Sequence, residues 1–435
     1  MLIEPEPHTG EDDADGQIAR IVDQHAENYH RAAITEADAA NVHQQLLDLG
    51  LSAGQIARRT HTPVKRVRAI HAVTSSSMAR AALGGVGGPP LRLDHAAVVA
   101  EFDDDREDSA DAVEVLLEAA EHSPERFEHV AQRLRDDREE RRLVAERTQT
   151  LSGQGVRVLT DDEASDATEL YRLRPTADSP QGTHLDAEEH TSCPGHAVHL
   201  AMRMDWSTNQ KRIEAAPYCT EPDRHAPRYN RDTGSEPALE LTDEQVEEAK
   251  EQKRVQRRRV ITNNRKWESA TTHRRQWLAE FIARKKPAAD AAAFIALTLA
   301  GGSHDVRKAM ESGSPTACAL LGLPAPAGYY SSEPRPLVEA AKTATGVRAT
   351  QLSLAVLLGA YEDGTSRESW RSPTRETVAY FTALRDWRYP LSDVECLVLD
   401  PDADQTDDPD ESGDQADDTA DDTDDDVGDD TEEPR

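Results

Sequence analysis

The stretch Leu51–Ile70 constrains the fold of this chain more tightly than any other part of it. Two short helices that cross closely need a small residue at the crossing and aliphatics around it. Ala57 is the small residue, and Ile56, Val67 and Ile70 are spaced to share one buried face. Ser52 is placed to cap the first helix and Thr62 the second, with Pro63 at the first helical position, where a missing N–H costs nothing. Lys65, Arg66 and Arg68 then project away from that core on the second helix, while Arg58 and Arg59 end the first. The pattern predicts a helix-turn-helix whose second helix enters a major groove, with Arg58, Arg59, Thr62, Lys65, Arg66 and Arg68 facing double-stranded DNA. One position departs from it. Four residues after Ala57 the turn usually holds glycine, and here it holds His61, which must adopt a left-handed backbone.

The formal net charge of −33 argues against nucleic-acid binding until the charges are placed. Residues 401–435 carry 18 Asp/Glu and one Arg. By contrast, Leu51–Arg80 has six Arg/Lys and no acid, and Lys253–Lys286 has twelve Arg/Lys and two Glu. DNA senses the local field, so an acidic total does not exclude it. No apolar run reaches 18 residues, which excludes a transmembrane helix from the expectations. The acidic start lacks the basic and apolar regions of a signal peptide, so a cytoplasmic, nucleoid- or plasmid-associated protein is expected.

With aromatics at 4%, no core can be large, and a mainly α, modular chain is expected. Composition shifts divide it into a flexible leader (1–16), a helix-turn-helix helical domain (17–155), a small cysteine–histidine region (156–240), a basic helix with a helical domain (241–400) and a disordered acidic tail (401–435). Helices are expected to start at Thr35 and stop at Gly50, and to cover Leu93–Asp104, Ser109–His122 and Ser123–Gly153. Gly84–Pro90 reads as a hinge, Gly155–Leu159 as a short strand and Leu241–Lys286 as a long helix. In that long helix Trp267, Trp277 and Phe281 are spaced for a core, and its arginines either grip phosphates or pair with acids. Tyr380, Phe381, Leu384, Trp387 and Tyr389 form an apolar face that suits core packing or a dimer interface.

Cys193-x-x-His196 and Cys219-x5-His225 flank an alternating segment, Val198, Leu200, Met202 and Met204, then a polar turn at 207–209 and a return strand Lys211–Tyr218. Two donor pairs at the base of a hairpin match a tetrahedral structural Zn2+ site with Cys193, His196, Cys219 and His225 as ligands and His190 as an alternative. A Cys193–Cys219 disulfide is the competing reading. Cys318 and Cys396 have no such neighbours and read as buried apolar residues.

Several of these motifs together resemble the ParB/KorB partition proteins, in particular the actinobacterial plasmid and chromosome branch. They are Glu27-Asn28-Tyr29-His30-Arg31, Ile34-Thr35, the helix ending at Leu49-Gly50, the helix-turn-helix and Leu93-Asp94-His95-Ala96. The resemblance covers about residues 17–160 and, more loosely, Cys193-Pro194-Gly195-His196 and Trp387–Glu395. It implies a non-enzymatic, site-specific DNA-binding protein of a plasmid or chromosome partition system, a homodimer on a centromere-like repeat that recruits a ParA-type ATPase. A KorB-like transcriptional repressor is the alternative. In ParB proteins the Glu-Asn-x-x-Arg box completes a CTP-binding fold that clamps DNA. By resemblance, Glu27 and Asn28 would face the phosphates and Mg2+ and Arg31 would support them. The family's Gly-x-Arg-Arg box is missing from this sequence, so an incomplete nucleotide switch is expected. An enzyme reading, a CTP-dependent clamp or a nuclease, is the third class.

Overall fold

A computed structural model of the chain describes residues 14–31, 36–86, 88–205, 210–229, 243–327 and 335–401. The expected acidic tail beyond 401, most of the leader, Thr35 and the 207–209 turn lie outside these residues. Helices dominate, with one small mixed sheet. Among the described residues no helix is long and apolar enough to cross a membrane.

The N-terminal part is a run of eight helices. α1 (Ala14–Arg31), α2 (Glu36–Asp48), α3 (Ala53–Thr60), α4 (Val64–Ser75) and α5 (Ser77–Leu83) are followed by α6 (Leu93–Phe102), α7 (Ser109–His122) and α8 (Phe127–Gly153). Gly85, in the expected hinge after α5, takes a φ of 75° that favours glycine. Two cores hold the run together. Ile18, Leu46, Leu51, Ile56, Ala57 and Val67 form the first, under α3 and α4. Ile70 and Val73 belong to the second, with Leu93, Ala96, Phe102, Leu116 and Phe127. The Leu93–Ala96 element thus opens α6 as expected, and its His95 ring stacks on Phe127 at 4.1 Å.

The middle part is β-rich. It comprises β1 (Arg157–Leu159), α9 (Asp161–Asp166), β2 (Thr168–Glu169), β3 (Leu173–Arg174), α10 (Ala187–His190), β4 (His196–Asp205), β5 (Gln210–Cys219) and β6 (Ala226–Pro227). Alternation of apolar residues sets the β4–β5 pair, antiparallel from His196↔Cys219 to Asp205↔Gln210. β1 adds in parallel beside β4 and β2 antiparallel beside β5, giving the order β1-β4-β5-β2. One sheet face, Val198, Leu200, Ile213 and Ala215, packs on Val144 and Leu151 of α8. β3 and β6 make a separate two-stranded ladder.

The C-terminal part contains α11 (Asp243–Ile282), α12 (Ala291–Gly301), α13 (His304–Glu311), α14 (Pro315–Leu320), α15 (Pro336–Lys342), α16 (Gly346–Gly364), α17 (Arg375–Asp386) and α18 (Asp393–Leu399). Trp267, Phe281, Tyr380, Phe381, Leu384, Trp387 and Tyr389 share the largest core among the described residues, so the aromatic face of α17 is internal and is not available to a second copy. Cys318 is buried, and Cys396 is half-buried against this core beside Arg126.

The basic block of α11 is largely committed within the molecule. Arg254 pairs with Asp166 at 3.0 Å and Arg258 with Asp162 at 3.0 Å. Arg265 pairs with Asp161 at 3.0 Å and reaches Glu140 at 3.4 Å. Arg257 donates to the Ser165 and Ala164 carbonyls at 3.2 and 3.1 Å, at the C-terminal end of α9 where a cation is favoured. Arg274 is fully buried in the core. The phosphate-gripping alternative for this block therefore loses its best-placed arginines to α8, α9 and the core.

Candidate functional site

Two places in the fold gather the residues expected to carry chemistry. The first is the α3–α4 pair. Ser52 caps α3 in a reciprocal box: its N–H donates to Gln55 Oε1 at 2.8 Å, and its hydroxyl accepts from Gln55 N at 3.4 Å. Ile56, Val67, Ile70 and Val73 are fully buried, and Ala57 lies at the crossing with 7% exposure. Arg58 and Arg59 on α3 and Lys65, Arg66 and Arg68 on α4 are all exposed. Inward and outward residues therefore alternate along α4 as an amphipathic helix requires.

Thr62 does not cap α4, contrary to expectation. Pro63, with ψ at 136°, occupies the capping position, so the helix starts at Val64 and Thr62 falls one residue too early. Its hydroxyl instead donates to the Thr60 carbonyl at 3.3 Å. His61 adopts the left-handed turn, φ 53° and ψ 29°. That geometry strains a residue with a Cβ, so His61→Gly is expected to raise folding stability by about 0.5–1 kcal/mol, after glycine's greater unfolded-state entropy is counted. A shift of the urea midpoint to higher concentration checks it, and a lower midpoint would refute the strain.

His43, which the sequence reading passed over, supports the pair from behind. It is buried, accepts or donates at Thr60 Oγ1 (3.4 Å), and its Nδ1 lies 2.8 Å from the Ala39 carbonyl. Burial pulls its pKa below the ordinary value, the Ala39 carbonyl opposes this, and the nearby charges of His25 and Arg66 add to it. A neutral His43 at neutral pH keeps charge out of the α3–α4 core. Of the nucleotide residues suggested by resemblance, Glu27 is exposed on α1, and the side chains of Asn28 and Arg31 lie outside the described residues.

The second place is the cysteine–histidine centre at the base of the β4–β5 hairpin. Donor atoms of His190, Cys193, Cys219 and His225 all lie within 4.8 Å of one another, a group that can hold a metal ion. Three of the four expected ligands are present, and the fourth is His190 where His196 was the first choice. The reason is local. His196 is the first residue of β4, paired across the strand with Cys219, whereas the turn after α10 folds His190 back onto Cys193. In that turn Cys193 N–H donates to the His190 carbonyl at 2.9 Å, and His196 N–H to the Cys193 carbonyl at 3.0 Å.

His196 is displaced to an outer role. Its Nδ1 lies 3.0 Å from His190 Nδ1, while His190 Nε2 is buried without a hydrogen-bond partner. A buried imidazole nitrogen without a hydrogen-bond partner, in a residue of this four-member group, fits a metal ligand whose other ring nitrogen is oriented by a neighbour. His225 has the same two-sided arrangement: Nε2 lies 3.6 Å from Cys193 Sγ and Nδ1 3.4 Å from the Pro175 carbonyl. Gly195 makes the close approach possible. A Cβ there would fall 2.8 Å from Glu221 N and 3.1 Å from Cys219 Sγ.

Burial, with the adjacent Cys193, pushes the Cys219 thiol up to about 11 even though the Glu221 N–H opposes it. Burial, helped by His196 and His225, pulls His190 down to about 4. Neutral His190 has its lone pair free for coordination, and a bound cation would draw the proton from Cys219.

The chain matches no family model, no curated protein and no solved structure.

Proposed function

We propose that the chain is a site-specific DNA-binding protein in which α3 and α4 act as a helix-turn-helix. In this reading Lys65, Arg66 and Arg68 enter the major groove while Arg58, Arg59 and Thr62 meet the flanking backbone. The observation that carries it is the outward face of α4. Three exposed cations stand on a helix whose inner face is fully buried, in a segment without a single acid, within a chain of net charge −33. A positive stripe maintained against that background has a polyanion as its natural partner.

The partition reading deepens this. A homodimer would bind an inverted, centromere-like repeat in the cytoplasm and recruit a ParA-type ATPase. A KorB-like repressor would use the same helix pair and differ only in what the bound DNA controls. A CTP-dependent clamp would require nucleotide at Glu27 and its neighbours. Zn2+ is the proposed occupant of the cysteine–histidine centre. Two thiolates and two imidazoles form a closed tetrahedral set of the structural kind, and the apolar cluster around it, Leu170, Leu173 and Leu185, is small enough to need a staple.

Selection of bound fragments from genomic DNA by wild type and Arg66→Ala tests the DNA reading. Wild type should enrich one inverted repeat. Loss of a base-reading arginine is expected to cost about 1–3 kcal/mol, roughly ten- to hundredfold in affinity. Equal recovery of all sequences by both proteins would remove specific recognition from the account.

A further inference from the structure

The two most strongly charged stretches of the chain have opposite sign and lie at opposite ends of the sequence. Leu51–Arg80 carries six Arg/Lys and no acid, and residues 401–435 carry 18 Asp/Glu and one Arg. On α3 and α4 the side chains of Arg58, Arg59, Lys65 and Arg68 are exposed. Among the described residues Arg58, Arg59 and Arg68 enter no hydrogen bond or ion pair. Residues 402–435 lie outside the described part, but the point from which they depart is fixed.

Tertiary packing sets that point near the cations. Lys65 is close enough to Glu128 of α8 to favour its charged form. Two residues earlier, at the start of α8, Arg126 pairs with Asp393, the first residue of α18. α18 ends at Leu399, about 10 Å further on at the helical rise of about 1.5 Å per residue. The acidic segment therefore leaves the fold one short helix and two charge contacts away from α4. Its 34 residues cover about 30 Å even at coil dimensions, and mutual repulsion of like charges extends such a chain further. A tether of this kind holds a segment near its target at an effective concentration in the millimolar range. The basic block of α11 is a poorer partner, because Arg254, Arg258 and Arg265 already pair with acids and Arg274 is buried. Its exposed end, Arg284-Lys285-Lys286, offers three cations, of which Arg284 lies over the Trp277 and Phe281 rings.

We infer that residues 402–435 dock on the cationic face of α3 and α4 and compete there with DNA. The competition rests on the DNA-binding reading; the contact rests only on charge and reach. Because both partners are exposed, the contact is screened by salt.

Lys65 is the only lysine before Lys211, so a zero-length carbodiimide cross-link from it reports this face alone. In the full chain at low ionic strength it should join Lys65 to Asp or Glu residues of 402–435, in a yield independent of protein concentration. Most of that yield should vanish at 0.5 M salt, about where the screening length falls to a few ångströms. The double variant Arg59→Glu, Arg68→Glu keeps Lys65 and should lower the yield severalfold. A full-length variant with the 18 acids replaced by Asn and Gln should bind duplex DNA at least about tenfold more tightly than wild type at about 50 mM salt, the gap closing as salt rises. Urea midpoints verify that both variants are folded. Cross-links from 402–435 to Lys285 or Lys286 but not Lys65 would overturn the inference, as would equal, measurable DNA affinity of wild type and the neutralised variant. DNA binding by neither protein, with the Lys65 cross-link present, would uphold the contact and remove the DNA-binding reading instead.

Discussion

Arg274→Met is expected to lose about 3–5 kcal/mol of folding stability, the usual consequence of removing one partner from a buried ionic network. Arg274, Glu362 and Glu395 are each fully buried. The guanidinium donates to Glu362 and to Glu395 at 2.5 Å each, and to Thr271 Oγ1 at 3.2 Å. Arg275 adds a second cation to Glu362 at 3.1 Å, and the Tyr380 hydroxyl donates to the same carboxylate at 2.7 Å. Glu395 also accepts from Tyr389 Oη and from Ser392 N and Oγ. Removing the arginine would leave two carboxylates in the core with hydrogen bonds but only Arg275 to balance them.

The pH dependence follows from the same network. Burial works against the Glu362 carboxylate, but Arg274 and Arg275 outweigh it and hold its pKa below the ordinary carboxylate value. A depressed carboxylate contributes stability that is present above its unfolded pKa, about 4.3, and is lost as pH falls through the folded value. In Arg274→Met the dominant cation is gone and burial should raise the folded pKa, so the variant's deficit should shrink on acidification. Urea unfolding of wild type and variant across pH 4–8 measures both effects. A midpoint unchanged at neutral pH would show that the triad is not a stabilising element of the core.

If the cysteine–histidine centre holds Zn2+ as proposed, Cys219→Ser is expected to have the second large effect, abolishing stoichiometric Zn2+ and loosening the ladder around it. Structural zinc in small modules contributes on the order of 10 kcal/mol of apparent binding energy, all of which is folding energy for the segment that holds it. Hydrogen exchange should therefore show the amides of β3, α10 and β6 losing protection, while α16 and α17, in a separate core, keep theirs. His196→Ala separates an outer from an inner role. It should retain the metal with weaker affinity, about 10–100-fold, whereas His190→Ala should lose a ligand outright. Metal content by mass spectrometry reads both. If His196→Ala lost the metal and His190→Ala kept it, the ligand assignment would be reversed.

Much of this architecture is legible in the chain because it depends on neighbours in sequence. Ser52 and Gln55 cap a helix three residues apart, Ile56, Val67 and Ile70 fall on one face, and His61 takes the left-handed turn that the spacing demands. Val198 and Leu200 alternate into a strand, and Cys193, Cys219 and His225 converge at its base. Thr62 failed as a cap through a one-residue displacement, because Pro63 takes the extended capping geometry itself.

What sequence alone determined is the set of near-neighbour decisions: where helices begin, which faces are apolar, which segment is free of acids, and that cysteine–histidine pairs flank a hairpin. Only the tertiary structure decided between His190 and His196, since both spacings are allowed and the turn after α10 chooses. It also turned the aromatic face of α17 inward. And it separated the arginines of α11, tying Arg254, Arg258 and Arg265 to surface acids and burying Arg274. The reason is distance along the chain. Arg274 meets Glu362 and Glu395 across 88 and 121 residues, and no local pattern of charge records a partner so far away.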